Sequence, residues 1–443
     1  MPRRTVTRGL AVFVVVLSAG CSQSDEGPIR LPVADAERVR ELQMAVVPPA
    51  RRMSREDYAA REERRAAEIT DEDVHAQQDL YGRLGFYPRN FDPRTTARST
   101  SAFYGAFYSS ETKDITVIDP PTDELLVHEL THALQDQHFD LTRLSSTATS
   151  TDEALAIRAL IEGDAVLAED RFVLQARHVT DPTAEVSHFV TSAGARETSE
   201  AGLDKVTVPL VFAARVALAY SYGEAYVAQR AGVVRGTWAL GPVNELFAGR
   251  GPASTQEVLH PSNDVDPIVP TGFAALPAGV MHAYEAETVD RIGEWYTYLL
   301  LRSSAGPSEA ARITAGWDGD QVILLRAQDG SSPPSKLGSS ALLWTTAWDT
   351  PQLAQDFAAA LRVLHHLTSA QESSPFAFLA PDSEAVWLEQ RDTQVFFAKN
   401  YDFGGVADLA NLALSTRDER RLDIVNRVAA QADVHCPRRD ARR

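Results

Sequence analysis

The chain has 443 residues, of which 44% are hydrophobic and 23% are charged, so it is long enough for one large or two medium-sized domains. Its formal net charge is −18. An acidic chain repels phosphate backbones, and this argues against nucleic acid as a partner.

The first 20 residues have the pattern of a lipoprotein signal peptide. Three arginines, at positions 3, 4 and 8, precede an apolar run over residues 9–18 that is too short to cross a bilayer. Leu17-Ser18-Ala19-Gly20-Cys21 then resembles the bacterial lipobox, in which the cysteine becomes the lipidated first residue. The alternative is an ordinary signal peptide followed by an unrelated cysteine. The sequence thus predicts an exported chain that contacts the membrane only through lipid on Cys21.

Residues 21–35 are polar and contain Gly, Pro and acidic residues, which is typical of a tether. In a Gram-negative cell, Ser22 after the cysteine favours sorting to the outer membrane. If Cys21 carries lipid, the other cysteine of the chain, Cys436, is unpaired. There is then no disulfide framework and no thiolate cluster, so any metal site must use histidine and carboxylate side chains.

Helical spacing begins at about residue 36. Over residues 36–90 the pattern predicts two helices separated by Pro48-Pro49. Aromatic and β-branched residues then alternate over residues 102–119 and predict a hairpin. Thr122, followed by two acidic residues, predicts the N-cap of the next helix.

A second long helix is predicted from about Thr151 to His178, with shorter helices as far as Phe247. From about residue 310 the pattern changes to strands around a helix at about 351–367. The strand-like runs are Val322–Leu325, Leu342–Thr346, Ala385–Glu389 and Gln394–Ala398.

The sequence therefore predicts an α+β protein with two folded parts. A predominantly helical domain covers residues 36–275. A C-terminal antiparallel α+β module covers residues 276–415, and a helical, basic tail covers residues 416–443.

The first of the two long helices carries His128-Glu129-Leu130-Thr131-His132. Each helical residue advances by about 100°, so His128 and His132 point in nearly the same direction and can reach one metal ion. Glu129 lies beside them, where it can hold a water molecule. The opposite side of the helix is apolar and is predicted to pack into the core: Leu126, Leu130, Ala133 and Leu134. The alternative is a pair of surface histidines.

A catalytic zinc needs a third protein ligand and an open position. Glu162 is the favoured candidate because it lies on an apolar helix face, where a carboxylate is costly unless a cation pairs with it. Gly163 and Ala165 are expected to let this helix approach the first one closely. The alternative is that Glu162 pairs with Arg158, four residues earlier.

His138 is the competing ligand, since it follows His132 at the spacing of the metzincin pattern HExxHxxGxxH. That pattern requires glycine at position 135, and this chain has Gln135. Metzincins also have a methionine turn below the metal, and the only methionine after the motif is Met281, far along the chain. We therefore favour Glu162 and expect His138 at the helix end or beside a ligand.

With these ligands, the predicted cofactor is Zn²⁺. Zinc lowers the pKa of water towards about 7 and polarises a carbonyl group. Glu129 would take the proton from that water and pass it to the leaving nitrogen. The oxyanion needs a further donor, usually a tyrosine or a histidine.

The segment HELTHALQDQHF followed by a downstream glutamate resembles the gluzincin metallopeptidases. It is still more similar to a group of poorly characterised bacterial secreted and lipoprotein metallopeptidases. In that group an aromatic hairpin precedes the HExxH helix and an ALxEGDA helix follows it. The resemblance covers roughly residues 100–350. It implies a zincin-like catalytic domain that hydrolyses peptide bonds in a peptide or protein substrate.

Two later segments extend this resemblance: Tyr220-Ser221-Tyr222-Gly223-Glu224-Ala225-Tyr226-Val227 and Ser254-Thr255-Gln256-Glu257-Val258-Leu259-His260-Pro261. Ala219 stands where the group has proline. The resemblance assigns Tyr220 and His260 as oxyanion or substrate contacts; packing and helix-end roles are the alternative. It also covers Gly316-Trp317-Asp318-Gly319-Asp320, which has too few acidic residues for a calcium loop and is predicted to be a β-turn.

Strand addition is the predicted mode of substrate binding. Residues Thr116–Ile118 of the hairpin are expected to form an edge strand that pairs with extended substrate, unless they form an inner strand.

The rival to the peptidase hypothesis is an inactive, zincin-like lipoprotein that serves as a binding or assembly scaffold. A scaffold has no need of the general base Glu129, which argues against this alternative. A third hypothesis is a zinc-storage or metal-sensing lipoprotein, which would have a histidine-rich surface. The 11 histidines are scattered along the sequence, which argues against this hypothesis. The sequence does not indicate the oligomeric state.

Overall fold

The computed structural model describes residues 28–96, 105–179, 186, 190–261, 268–269, 271–273, 276, 280, 284–327, 340–368, 372–401 and 403–414. The predicted signal peptide with Cys21, the basic tail with Cys436, and Met281 lie outside these residues. The described residues form two compact units. One takes in those of Met1–Gln78 and Phe86–Val265, and the other those of Asp79–Gly85 and Asp266–Arg443.

The first unit is mostly helical. Its helices are α1 (Val33–Arg40), α2 (Arg55–Ala67), α3 (Asp71–Gln77), α4 (Asp123–Phe139), α5 (Leu141–Ser146), α6 (Thr151–Ala176), α7 (Ser192–Leu203), α8 (Leu210–Ala217), α9 (Gly223–Arg230), α10 (Gly241–Ala248) and α11 (Thr255–Leu259). Shorter helical turns are Pro93–Thr96, Leu218–Tyr222 and Val233–Arg235; a further turn, Gln78–Gly82, belongs mostly to the second unit. The two long predicted helices are confirmed as α4 and α6, and Thr122 caps α4 by accepting a hydrogen bond from the Leu125 amide.

A three-stranded sheet accompanies these helices, with strand order β1-β3-β2. The strands are β1 (Ala50–Arg52), β2 (Ala106–Ser109) and β3 (Asp114–Val117). The predicted hairpin is confirmed, since β2 and β3 are antiparallel. The prediction that Thr116–Ile118 forms an edge strand is wrong: β1 pairs with β3 in parallel and leaves β3 in the centre.

The prediction of two helices over residues 36–90 is also wrong. Pro48-Pro49 does end the helical pattern, but the residues that follow form β1 before α2 begins. The Ile115 amide donates to the carbonyl of Pro49, which starts the parallel pairing. The strand therefore forms because a partner, β3, is supplied by a distant part of the chain.

The apolar side of α4 packs into a core that the hairpin and α1 complete. Leu126, Leu130 and Leu134 are at most 2% exposed, as the helical periodicity predicts. Their partners include Ile115 of β3 and Val39 of α1. Burial of one large apolar side chain stabilises a fold by about 1.5–3 kcal/mol, so this core fixes which face of α4 remains for polar residues.

The second unit is built on a seven-stranded antiparallel sheet with strand order β4-β5-β6-β10-β9-β8-β7. The chain is thus α+β, with an antiparallel sheet in its C-terminal part. The strands are β4 (Tyr284–Asp290), β5 (Trp317–Ala327), β6 (Ser340–Trp348), β7 (Glu372–Ser374), β8 (Ala377–Leu379), β9 (Ala385–Arg391) and β10 (Gln394–Lys399). The helices are α12 (Gly293–Ala305), α13 (Pro307–Thr314), α14 (Pro351–Leu364) and α15 (Phe403–Ala413).

Helices cover both faces of the central strands. On one face Phe396 of β10 belongs to a buried cluster with Leu409 of α15. On the other, Phe357 of α14 packs on Trp344 and Trp348 of β6. The four predicted strand runs lie within β5, β6, β9 and β10, and the predicted helix at 351–367 is α14, which ends at Leu364.

The predicted β-turn at residues 316–320 is wrong. This segment begins β5, with a register shift against β6 between Trp317 and Gly319. The Asp320 carboxylate accepts hydrogen bonds from the backbone amides of Ile292 and Gly293, at 3.1 and 2.9 Å. Asp320 thus holds the start of α12, because free amides at a helix N-terminus favour a negative charge.

Segment Asp79–Gly85 belongs to the second unit although its neighbours in sequence belong to the first. Its Arg83 is fully buried and contacts Glu384 at 3.1 Å, Ser340 at 2.7 Å and Asp79 at 3.2 Å. A buried guanidinium requires such partners, so the segment is bound to this unit by charge-assisted hydrogen bonds.

His365, directly after α14, is buried and stacks on Phe397 of β10 at a centroid distance of 4.8 Å. Burial lowers the pKa of His365 to about 3. Of the charged neighbours that act on it, Lys399 and His366 lower the pKa further, and Asp382 raises it. His365 is therefore neutral at physiological pH.

Among the described residues, no helix combines the length and the apolar character that a membrane span requires.

Candidate metal centre

The candidate centre is built on the polar face of α4. His128 and Glu129 are 4% and 5% exposed, so both polar side chains are enclosed although neither belongs to the apolar core. His132 lies one turn further along and its side chain is 12% exposed. Burial of polar groups is costly unless they have partners, and each of the three has them.

Three donor atoms converge on one point. The Nε2 atoms of His128 and His132 are 3.1 Å apart. Oε2 of Glu162, from α6, lies 3.5 Å from the first and 3.4 Å from the second. Among the described residues these three side chains form the one group of histidine, cysteine or acidic residues that could hold a metal ion. The structure therefore brings together the three residues predicted as ligands.

The spacing of these atoms fits zinc. Zinc–ligand distances of about 2.0–2.1 Å with tetrahedral angles place the ligand atoms about 3.3 Å from one another. The observed separations of 3.1, 3.4 and 3.5 Å bracket that value. Two imidazoles and one carboxylate are also the ligand set of many catalytic zinc sites, which leave a fourth position for water.

The outer nitrogen of each histidine has its own partner. Nδ1 of His128 lies 3.3 Å from the carboxylate of Glu169, about two turns beyond Glu162 on α6. Nδ1 of His132 lies 2.9 Å from the amide oxygen of Gln135. Acceptors at Nδ1 leave the Nε2 lone pairs directed at the shared point, which is how metal-binding histidines are usually oriented.

Glu129 is held from the opposite side by the hairpin. Its Oε2 accepts a hydrogen bond of 2.7 Å from the backbone amide of Tyr108 in β2. The Tyr108 hydroxyl donates to Asp136, at 2.7 Å, and the Lys113 ammonium contacts the same carboxylate at 2.6 Å. The hairpin is thus fixed to α4 at two points, and the β2 edge that does not pair with β3 faces Glu129.

Charge in the cluster favours a cation. Burial raises the pKa of Glu129 above its usual range. Burial alone would raise the pKa of Glu162 and lower that of His128, but hydrogen bonding between them outweighs burial. It holds the pKa of Glu162 well below its usual range and, with Glu169, raises the pKa of His128 to about 10. The carboxylates thus stabilise positive charge at this point, which a proton or a metal cation can supply.

Helices α6 and α9 cross in backbone contact beside the cluster. A Cβ atom at Gly163 would lie 2.1 Å from the carbonyl carbon of Gly223, and one at Gly223 would lie 2.3 Å from the carbonyl oxygen of Ala159. The prediction that Gly163 and Ala165 let α6 approach α4 is therefore wrong for Gly163, which faces α9 instead; for Ala165 it stays a prediction. Tyr220 lies in the turn that immediately precedes α9, so the crossing also fixes the backbone close to Tyr220.

Tyr220 is one of the two residues that the family resemblance adds to the site, and it lies against a predicted ligand, His128. Its ring is parallel to that of His128, with an interplanar angle of 2° and a centroid distance of 5.8 Å. It belongs to the π-helical turn Leu218–Tyr222. Such turns are rare and occur frequently at functional sites.

His260, the second of these residues, is the C-cap of α11. Thr255, at the start of α11, donates to Asp152 near the N-terminal end of α6, ten residues before Glu162. The role of His260 as an oxyanion or substrate contact stays a prediction.

His138 points away from the cluster. His138 lies at the C-terminal end of α4, and its Nε2 contacts the carbonyl oxygen of Gln43 at 2.8 Å. The alternative partner for Glu162 is present together with the histidines: Arg158 lies 3.2 Å from Oε1, while Oε2 faces His128 and His132. The two interpretations of Glu162 are thus compatible, because its two oxygens face different groups.

Several residues that complete the site were not found from the sequence. Glu169 carries a signal that was available, since seven residues after Glu162 place it on the same helix face. Gln135 was noted only as the residue that breaks the metzincin pattern. Tyr108 acts through its backbone, and no side-chain pattern indicates that.

A family model described as a domain of unknown function, DUF8575, matches residues 282–410. The matched stretch lies in the second unit and does not include the residues of the metal cluster. No curated protein and no solved structure matches the chain.

Proposed function

We propose that the chain is a zinc-dependent hydrolase of peptide bonds, with a zincin-like first unit of gluzincin type. The observation that carries the proposal is the convergence of His128, His132 and Glu162 within 4.8 Å of one another, beside the buried Glu129. A water molecule at the open side of these atoms would lie within reach of the Glu129 carboxylate.

Zinc at this cluster would polarise the scissile carbonyl and lower the pKa of water. Glu129 is the general base that takes the proton from water and delivers it to the leaving nitrogen. The Tyr108 amide fixes one oxygen of Glu129 at 2.7 Å and leaves the other to move the proton. Tyr220, stacked on His128, is the candidate donor to the oxyanion.

Substrate binding by strand addition is assigned to β2. Among the described residues β2 is at the edge of the three-stranded sheet, and the backbone amide of Tyr108 contacts Glu129 along that edge. An extended peptide paired with β2 would lie beside the general base, and main-chain hydrogen bonds would give affinity without strong sequence selection. This transfers the substrate role from β3, where we expected it, to β2.

The signal-peptide and lipobox patterns support an exported enzyme that is anchored to the cell envelope through Cys21. Its substrates would then be peptides or proteins outside the cytoplasm. Export and lipid attachment are tested by mass spectrometry of the N-terminal peptide and by fractionation of the Cys21→Ala variant. Recovery of the variant in the soluble extracellular or periplasmic fraction is expected, whereas unchanged membrane association contradicts the anchor.

Zinc content and peptide cleavage of the full-length protein test the catalytic proposal. We expect one zinc per chain, loss of zinc in His132→Ala and Glu162→Ala, and retention of zinc in Glu129→Gln with turnover reduced by at least about 10²-fold. His138→Ala is the matched control, since it removes a histidine of the same helix outside the cluster, and it should keep both zinc and turnover.

Two results would overturn the assignment. Zinc retained in Glu162→Ala but lost in His138→Ala would show that the third ligand is wrong. Stoichiometric zinc without turnover dependent on Glu129, over a broad peptide library, would favour the scaffold.

A further inference from the structure

Gln135 is the residue that departs from the metzincin pattern, and its side chain lies between a predicted ligand and a buried ion pair. It is completely buried. Its amide oxygen faces Nδ1 of His132 at 2.9 Å, and its amide nitrogen faces Oδ2 of Asp164 at 2.8 Å. The nitrogen also donates to the carbonyl oxygen of Ile161, at 3.0 Å.

Chemistry fixes the direction of this amide. The carboxylate of Asp164 and the carbonyl of Ile161 are acceptors only, so the end of Gln135 that faces them must be the NH₂ group. The opposite orientation would place an amide oxygen against two other oxygens. The carbonyl end of Gln135 therefore faces His132.

A carbonyl oxygen can only accept, so Nδ1 of His132 must carry the proton. In a neutral imidazole the lone pair is then on Nε2, the atom that lies 3.4 Å from Oε2 of Glu162. Gln135 thus sets the tautomer in which His132 can bind a metal ion.

Asp164 is in turn held by a cation. Nε of Arg40 donates to Oδ2 of Asp164 at 2.7 Å, and both side chains are 1% exposed. Nη2 of Arg40 donates to the Asn244 side chain, also at 2.7 Å. In this buried setting a carboxylate without its guanidinium would be strongly destabilised, so Arg40 compensates the charge of Asp164 and holds its side chain in place.

We infer that Gln135, Asp164 and Arg40 form a relay of hydrogen bonds that positions His132 for zinc. The relay connects α4, α6 and α1, and it rests on the proposed function because it concerns a ligand of the proposed zinc. These residues touch neither metal nor substrate; they act through His132. Removal of an outer partner of a metal-binding histidine typically weakens metal affinity by about 10–100-fold.

The test measures the zinc dissociation constant of the full-length protein by competition with a chelator of known affinity. Gln135→Leu and Asp164→Asn should each weaken zinc binding by about 10–100-fold. Asp152→Asn is the matched control: Asp152 is a fully buried carboxylate on the same helix that accepts two hydrogen bonds from Thr255. It lies about 18 Å from Asp164 along the helix and should leave zinc affinity unchanged.

A spectroscopic measurement separates positioning from general damage to the fold. ¹⁵N-histidine NMR of the zinc-loaded protein should show a protected proton on Nδ1 of His132, lost in Gln135→Leu.

The outcomes distinguish this inference from the proposed function. If the unaltered protein binds zinc while Gln135→Leu and Asp164→Asn bind it as tightly as Asp152→Asn, the relay is overturned and the hydrolase is not. Zinc binding that depends on the relay, without turnover dependent on Glu129, overturns the hydrolase alone. Failure of the unaltered protein to bind zinc overturns both.

Discussion

Replacement of Gly163 by alanine tests whether the crossing of α6 and α9 supports the candidate metal centre. The added Cβ would lie 2.1 Å from the carbonyl carbon and 2.2 Å from the carbonyl oxygen of Gly223. Carbon atoms pack at about 3.5–4.0 Å, so the two backbones must separate by more than about 1 Å. Backbone atoms cannot rotate away as a side chain can, and the shift is transmitted to Glu162 and Tyr220, which lie next to the crossing in sequence.

The expected cost follows from two opposed terms. Overpacking of an interior costs about 1–3 kcal/mol and occasionally more, and contact with backbone places this position at the upper end. Alanine is a better helix former than glycine by about 1 kcal/mol, which offsets part of the strain. We expect Gly163→Ala to lower the free energy of unfolding by about 2 kcal/mol and to weaken zinc binding at least tenfold.

Chemical denaturation and the zinc competition assay measure these two effects. Gly241→Ala is the control, since a Cβ there meets no atom within 4 Å and the residue begins a helix. It should change stability by less than about 1 kcal/mol and leave zinc affinity as it is. If Gly163→Ala matches Gly241→Ala in both assays, the close crossing does not position the site.

Two predictions concern the second unit. Arg83→Met should lower the free energy of unfolding by about 3 kcal/mol, the lower end of the range for a broken buried ion pair, because Glu384 keeps Lys399 as a partner; Arg312→Met, at an exposed ion pair, should change stability little, and equal denaturation midpoints of the two variants would contradict this. His365 keeps a pKa of about 3 in the folded chain but takes up a proton below about pH 6.5 when unfolded, so its contribution to stability is complete above that pH and is lost on acidification. Relative to His365→Leu, the unaltered protein should lose about 1.4 kcal/mol per pH unit between pH 6.5 and 4, and parallel stability curves for the two proteins would refute the assignment.

Local sequence patterns correctly predicted the helices and strands whose structure depends mainly on their own residues. The N-cap at Thr122 and the apolar side of α4 follow from spacing alone, and both are present. The runs that form β5, β6, β9 and β10 are also local signals, because β5, β6 and β10 are buried along most of their length and three of the seven residues of β9 are buried.

The errors occur where a distant partner decides the structure. β1 is a strand because β3 lies beside it, and the same pairing removes β3 from the edge. Residues 316–320 contain glycine and aspartate and therefore resemble a turn, but Asp320 is committed to the start of α12 instead. Segment Asp79–Gly85 joins the second unit through Arg83, whose partners lie 257 and 301 residues away.

The same distinction between local pattern and distant partner separates the residues of the candidate site that were predicted from those that were not. His128, Glu129 and His132 lie within five consecutive residues, so the HExxH motif identifies all three. Glu162 is found by a chemical argument, because a carboxylate on an apolar face needs a cation. Gln135, whose amide oxygen faces His132, differs from the metzincin pattern, and its contact with His132 does not follow from that pattern. Once α1, α4 and α6 are packed, Gln135 is the side chain that connects His132 to a buried ion pair. A residue that departs from a motif inside a candidate metal-binding helix is therefore informative: here Gln135, which stands where metzincins have glycine, is the residue that connects His132 to Asp164.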